Sequence, residues 1–159
     1  MMKGKPLIPL MAASLIGLAA CEKSPQGKAE ALQQAPTEPI VSVARWYSSA
    51  QVARGNALFQ EHCATCHKPD ASGSPNWREA DAEGKLPPPP LNGTAHAWHH
   101  PLPVLRRTVR MGGVPLGGSM PGFADKLNSQ QIDDILAWVQ SHWPEEIYKA
   151  WDRMNKNGT

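Results

Sequence analysis

The hydropathy pattern divides the chain into an apolar start, a polar stretch without period, and a region of helical periodicity. Leu7 to Leu18 is one apolar run rich in Leu, Ile, Ala and Met. Over residues 22–44 no helical or strand period holds, and Pro25, Pro36 and Pro39 stand among Ala, Gln, Lys and Glu. From Ser48 the pattern turns helical. Ser48 or Ser49 can cap a helix running to about Glu61, with Ala50, Val52, Ala53, Ala57, Leu58 and Phe59 as its apolar positions. Gly55 and Phe59 share one face, four residues apart. Glycine inside a helix costs about 1 kcal/mol against alanine, so close approach of a second helix is expected at Gly55. The partner is residues 128–142. There Ile132, Ile135, Leu136 and Val139 repeat at i, i+3, i+4, i+7, with Trp138 beside them. Asn128 followed three residues later by Gln131 forms a capping box, and Pro144 stops the helix. A short helix is expected over 102–110. Residues 68–86, with Trp77 among Gly, Pro and Asp turn signals, read as a surface loop, and the prolines at 87–90 as an extended run. Residues 146–159 read as a tail carrying Trp151, continuing as a short helix against the domain and fraying from Asn155.

The first apolar run is too short for a comfortable membrane span and follows Lys3 and Lys5, so residues 1–20 are expected to be a signal peptide. The run ends Leu18-Ala19-Ala20-Cys21, which resembles the bacterial lipobox. In signals of that kind the cysteine is acylated and becomes the first mature residue. The plainer alternative is an ordinary secretory signal cut after Ala20, leaving Cys21 as a free thiol. An exposed thiol in an oxidising compartment is a liability, which favours the lipid. Acylation of Cys21 would place the chain in the bacterial periplasm, anchored to a membrane. Residues 21–44 then form a flexible tether spanning roughly 25–30 Å. A compact domain follows over 45–145, then the tail over 146–159.

Composition narrows the function. Apolar residues make up 41% of the 159, but 16 prolines and 13 glycines imply much loop and turn. Aromatics are 6%, and six of those residues are Trp. One small domain with so few large side chains has a modest core, to which a buried prosthetic group would add apolar area. The net charge of +2 vanishes once Lys3 and Lys5 are removed, which excludes the basic excess of a nucleic-acid binder. Neither a Ser–His–Asp set, nor a phosphate loop, nor a paired-acid signature appears, so the chain is not expected to be an enzyme.

The three cysteines are Cys21, Cys63 and Cys66. Cys63-Ala64-Thr65-Cys66-His67 is the attachment signature of a c-type haem. Each thiol adds to one haem vinyl group, and the short loop between them holds the His67 imidazole under the iron as proximal ligand. A zinc site from His62, Cys63, Cys66 and His67 is the alternative, as is a redox dithiol. Four zinc ligands within six consecutive residues would strain a tetrahedron.

Together these features resemble class I cytochrome c. Gly55 and Phe59 stand eight and four residues before Cys63, as glycine and an aromatic do in that family, and Trp138 with Ile135 fits the aromatic offered by its C-terminal helix. Pro89-Pro90-Leu91-Asn92-Gly93 matches the family's Pro-x-Leu-x-Gly segment. The resemblance implies an all-α fold of three to five helices around one covalent haem c. It implies that the Pro89 carbonyl accepts a bond from His67, with Pro90 as the alternative acceptor, and that Leu91 packs on the haem. Met120-Pro121-Gly122-Phe123 resembles the family's Met-Pro-x-Phe segment and makes Met120 the sixth ligand. Its approach, Gly112-Gly113 through Gly117-Gly118, could cross the haem face closely. Met111 and Met154 are the competing methionines.

A thioether ligand raises the reduction potential and closes the sixth position, which suits electron transfer. The chain is therefore expected to be a membrane-tethered carrier passing single electrons between a redox donor and acceptor, membrane-bound respiratory components among them. The alternatives are a haem subunit of a fixed redox complex, or a gas-sensing or catalytic haem protein with a displaceable sixth ligand. His96, His99 and His100 around Trp98 read either as a second metal site or alternative axial ligand, or as side chains facing solvent or the haem edge. Arg106, Arg107 and Arg110 form either a steering patch for acidic partners or a solvated face.

Overall fold

The computed structural model describes residues 42–157. The expected signal peptide, Cys21 and the tether up to residue 41 lie outside the described residues, as do residues 158–159. Among the described residues there are five α-helices: α1 Ser49–His62, α2 Ala64–His67, α3 Leu102–Met111, α4 Ser129–Ser141 and α5 Glu145–Asn157. Single turns of 3-10 helix lie at Ala97–His99 and Val114–Leu116. No strand occurs among the described residues. The fold is all-α, at the upper end of the expected helix count.

Local chemistry sets the two long helices. Asn128 and Gln131 form the expected capping box, each side chain accepting the other's backbone N–H at 2.9 and 3.0 Å. Ser48 and Gln51 form a second one at the start of α1, where the pattern predicts only a serine cap. The principal helix contact is α1 against α4. They cross where glycine demanded it. A Cβ on Gly55 would stand 1.8 Å from the Asp134 carbonyl oxygen and 3.0 Å from Trp138 Cβ. One turn on, the Phe59 and Trp138 rings pack with centroids 4.2 Å apart.

The crossing carries an ion pair that the apolar stripe did not reveal. Asp134 is only 2% exposed. Arg54 reaches it with two hydrogen bonds of 2.7 and 3.0 Å, and Gln130 adds one of 2.9 Å. Burial opposes ionisation of Asp134, but these bonds outweigh it and hold the carboxyl below its usual range.

The C-terminal segment is a helix against the domain, as expected, but it is longer and more deeply packed than a tail. It is a helix of 13 residues whose Tyr148 and Trp151 lie in the core with Phe59, Ile132 and Trp143. Ile147, Tyr148, Trp151 and Met154 recur at three- and four-residue steps, so one face of α5 buries as any amphipathic helix does. Asn155 does not fray. Its side chain accepts from Leu102 N at 2.9 Å and donates to Trp151 O at 2.9 Å. Among the described residues, contacts with the last helix begin at Val43. Val43 N donates to Glu145 Oε1, Trp46 N to Tyr148 Oη, and Trp46 Nε1 to Gln140 Oε1 at 2.6 Å. Tyr148 and Trp151 thus join Phe59, Phe123, Trp138 and Trp143 as the aromatic residues of the core.

Candidate haem-binding site

Helix α1 delivers the cysteines. It ends at Cys63, whose N–H still bonds Phe59 O. The Cys63 carbonyl then accepts from Cys66 N at 3.1 Å and His67 N at 2.9 Å, winding the pentapeptide into the single turn of α2. Both thiols are free, Cys63 half-buried and Cys66 exposed. Burial, reinforced by neighbouring Cys66, pushes the Cys63 thiol up to about 11.

His67 is buried, and its Nδ1 lies 2.9 Å from the Pro89 carbonyl oxygen. A carbonyl only accepts, so Nδ1 carries the proton and Nε2 is left as a lone-pair donor. Burial lowers the imidazole pKa more than the Pro89 bond raises it, which keeps the ring neutral as a metal ligand requires. Of the two adjacent prolines, Pro89 is the one whose carbonyl faces His67.

Part of the loop expected to be a mere surface insertion holds this carbonyl in place. Ser74 N donates to Pro88 O and Leu91 N to Ala71 O, both at 2.8 Å, while Gly73 N donates to His67 O at 2.9 Å. Ala71 is fully buried. Residues 75–86 are exposed, save half-buried Trp77, and match the expected surface loop. Leu91 is half-buried against the core, and its carbonyl accepts from Trp143 Nε1 at 2.8 Å.

Met120 sits half-buried against the core in the loop between Val114–Leu116 and α4. Its carbonyl accepts from Gly113 N at 2.9 Å, and Gly113 O accepts from Gly118 N at 3.0 Å. Gly112 has φ 75°, and a Cβ there would stand 2.5 Å from Met120 O, so glycine is what allows this loop to close. Met111, by contrast, is 59% exposed at the end of α3, and Met154 packs along α5.

The three histidines diverge. The His99 ring stacks on Trp98 at 3.7 Å, whereas His96 lies between Trp77 at 5.4 Å and His100 at 5.7 Å. Burial, then the charges of His100, His99 and Arg78, lowers the His96 pKa. Among the described residues no three of His, Cys, Asp or Glu assemble as a metal site. That finding favours neither a second metal at these histidines nor zinc held by His62, Cys63, Cys66 and His67. The arginines are not one free patch either. Arg106 forks onto Asp133 at 2.6 and 3.0 Å, Arg110 reaches Ser129 Oγ at 2.7 Å, and Arg107 is exposed.

The residues present fit a covalent haem. A free thiol pair on one turn, a buried neutral imidazole with Nε2 unspent, and a glycine-closed loop presenting a methionine supply the donor chemistry of a c-type centre. The sequence reading missed Gly73 and Trp143, which lie one step behind the donors. Only the glycine in a turn-rich stretch and an indole just beyond α4 signalled them.

The family model for cytochrome C oxidase, cbb3-type, subunit III matches residues 50–139, from the second residue of α1 to near the end of α4. No curated protein and no solved structure matches the chain. The matched span includes the cysteine pair, His67, the Pro89 segment and Met120, and it covers more than half of the chain. The chain therefore belongs to the family of cytochrome c oxidase, cbb3-type, subunit III: it is a class I c-type cytochrome that transfers electrons through a covalently bound haem c.

Proposed function

We propose that the protein is a single-haem carrier, lipid-anchored through Cys21 in the bacterial periplasm, which passes electrons between membrane-bound redox partners. When bound, the haem supplies a one-electron ferric–ferrous couple. Cys63 and Cys66 form its two thioethers, His67 is the proximal ligand through Nε2, and Met120 is the distal ligand. Pro89 orients His67, and Leu91 covers the porphyrin. The observation that carries this reading is the His67 Nδ1 contact to Pro89 O at 2.9 Å, immediately after the cysteine pair. That bond fixes the tautomer, aims Nε2 away from the backbone and strengthens it as a donor. A closed sixth position and a rigid scaffold suit electron transfer rather than substrate chemistry.

Absorption spectra of the oxidised and reduced protein, with and without carbon monoxide, test the assignment. A low-spin c-type spectrum indifferent to carbon monoxide at neutral pH is expected. Rapid carbon monoxide binding to the reduced protein would remove Met120 from the ligand set and favour a gas-binding or catalytic role. The anchor is tested separately. Cys21→Ser is expected to release the protein from membranes, and a variant still fractionating with them would place the anchor elsewhere.

One alternative has a specific observation behind it. The matching family is described by its oxidase subunit, which favours a fixed place inside a terminal oxidase complex. Among the described residues no helix is long and apolar enough to cross a membrane. Purification in mild detergent distinguishes the two: a carrier travels alone, a subunit with its complex.

A further inference from the structure

We propose that Trp143 is a positioning residue for the haem ligand His67, acting through the proline run that carries the Pro89 carbonyl. The inference rests on His67 being the proximal ligand, as proposed above.

Residues 87–90 are all proline and own no backbone N–H. Such a segment cannot fix its register by donating, so its position depends on what donates to its carbonyls and on its flanks. Three donors reach it or the residue after it. Ser74 N takes Pro88 O at 2.8 Å, His67 Nδ1 takes Pro89 O at 2.9 Å, and Trp143 Nε1 takes Leu91 O at 2.8 Å. Leu91 N adds one bond outward, to Ala71 O at 2.8 Å. The Pro89 carbonyl is thus strung between an anchor before it and an anchor after it. The later anchor is an indole from the turn between α4 and α5, some fifty residues away in the chain.

A second observation places that turn directly on the segment. Gly93 has φ 92°, and a Cβ there would meet Pro144 Cδ at 2.9 Å and Trp143 Cα and Cδ1 at 3.3 Å. A left-handed backbone that glycine adopts readily lets Trp143 and Pro144 press against residues 91–93. Trp143 itself is 3% exposed and packs edge-on against Trp151 at 5.9 Å, so the indole has little freedom to turn away.

The bond from His67 to Pro89 gives the imidazole more negative character, which favours ferric iron. Loosening the far end of the proline run should weaken that bond and favour ferrous iron. The test uses full-length haem-loaded protein and two readouts: the midpoint potential, and exchange of the His67 Nδ1 proton in the reduced, diamagnetic state. Trp143→Phe keeps the ring and removes the N–H. Trp46→Phe is the control, because its indole also donates a long-range hydrogen bond, to Gln140 Oε1 at 2.6 Å. Trp143→Phe is expected to raise the potential and to speed the exchange by about fivefold or more, as loss of a typical hydrogen bond allows. Trp46→Phe is expected to lower thermal stability and leave both readouts in place. Gly93→Ala, which keeps the indole but displaces it, should shift both readouts in the same direction as Trp143→Phe and stands in if that variant does not mature. Potentials and exchange rates equal to those of Trp46→Phe would overturn the clamp while leaving His67 as ligand. A wild-type protein without a low-spin haem spectrum would overturn the ligand assignment and the clamp with it.

Discussion

Gly73 lies directly against the peptide of Pro89: a Cβ at Gly73 would stand 2.4 Å from the Pro89 carbonyl carbon and 2.6 Å from its oxygen. The same oxygen accepts from His67, and Gly73 N donates to His67 O. One glycine therefore sits inside the junction between the proximal histidine and its acceptor. Its φ of 62° adds a conformational reason for glycine.

Gly73→Ala should damage this junction twice. An L-residue held in that conformation costs about 1–3 kcal/mol, and the new methyl would push Pro89 off His67. The expected outcome is a lower unfolding midpoint together with a raised reduction potential. Denaturant titration and potentiometry on the same sample check both. A variant with wild-type stability and potential would show that the contact is not held in solution.

Gly55→Ala probes the helix crossing. No room exists for a methyl 1.8 Å from the Asp134 carbonyl oxygen, so α1 and α4 must separate. Overpacking of this kind costs about 1–3 kcal/mol. Urea unfolding should show a lower midpoint with an unchanged slope, as a stability loss without a change in the unfolded state requires.

Met120→Ala and Met111→Ala separate the two methionines flanking the glycine loop. The first is expected to abolish any sulfur-ligand absorption band of the oxidised protein and open it to carbon monoxide when reduced. The second, at an exposed position, should leave both spectra unchanged. The reverse result would transfer the distal role to Met111.

Asp134 sets an acid limit. Its folded pKa lies below its unfolded value, so the stability it contributes is present above about pH 4 and is lost as pH falls through the depressed folded value. Asp134→Asn should lower stability at neutral pH and flatten its dependence on pH below about 4. Arg54 is largely exposed, so added salt should weaken the effect only in part. Parallel acid titrations followed by circular dichroism measure the difference in slope.

What the sequence made legible follows from where the determinants are local. The capping box of Asn128 and Gln131, the stripe of Ile132, Ile135, Leu136 and Val139, and the crossing at Gly55 are each written within one turn or one stripe. The attachment pentapeptide is equally local, and so is the Pro89 segment. The features that were not legible need two distant segments. Gly73 reads as an ordinary turn glycine until Pro89 is brought beside it. Trp143 reads as a helix-end aromatic until Leu91 arrives. Residues 146–157 read as a tail with only a short helix because charged residues interrupt the stripe, although Tyr148 and Trp151 lie in the core. Asp134 falls on the apolar side of α4 and gains its charged partner, Arg54, from α1.

The central claim is that Cys63 and Cys66 bind one haem covalently, with His67 beneath it. Intact mass spectrometry of protein matured in a periplasm competent for cytochrome c assembly tests it most directly. The account predicts one species heavier than the polypeptide by a single haem, with the mass mapped to the peptide containing Cys63 and Cys66 and absent from a Cys63→Ser, Cys66→Ser double variant. A bare polypeptide mass with two alkylatable thiols at those positions would contradict it.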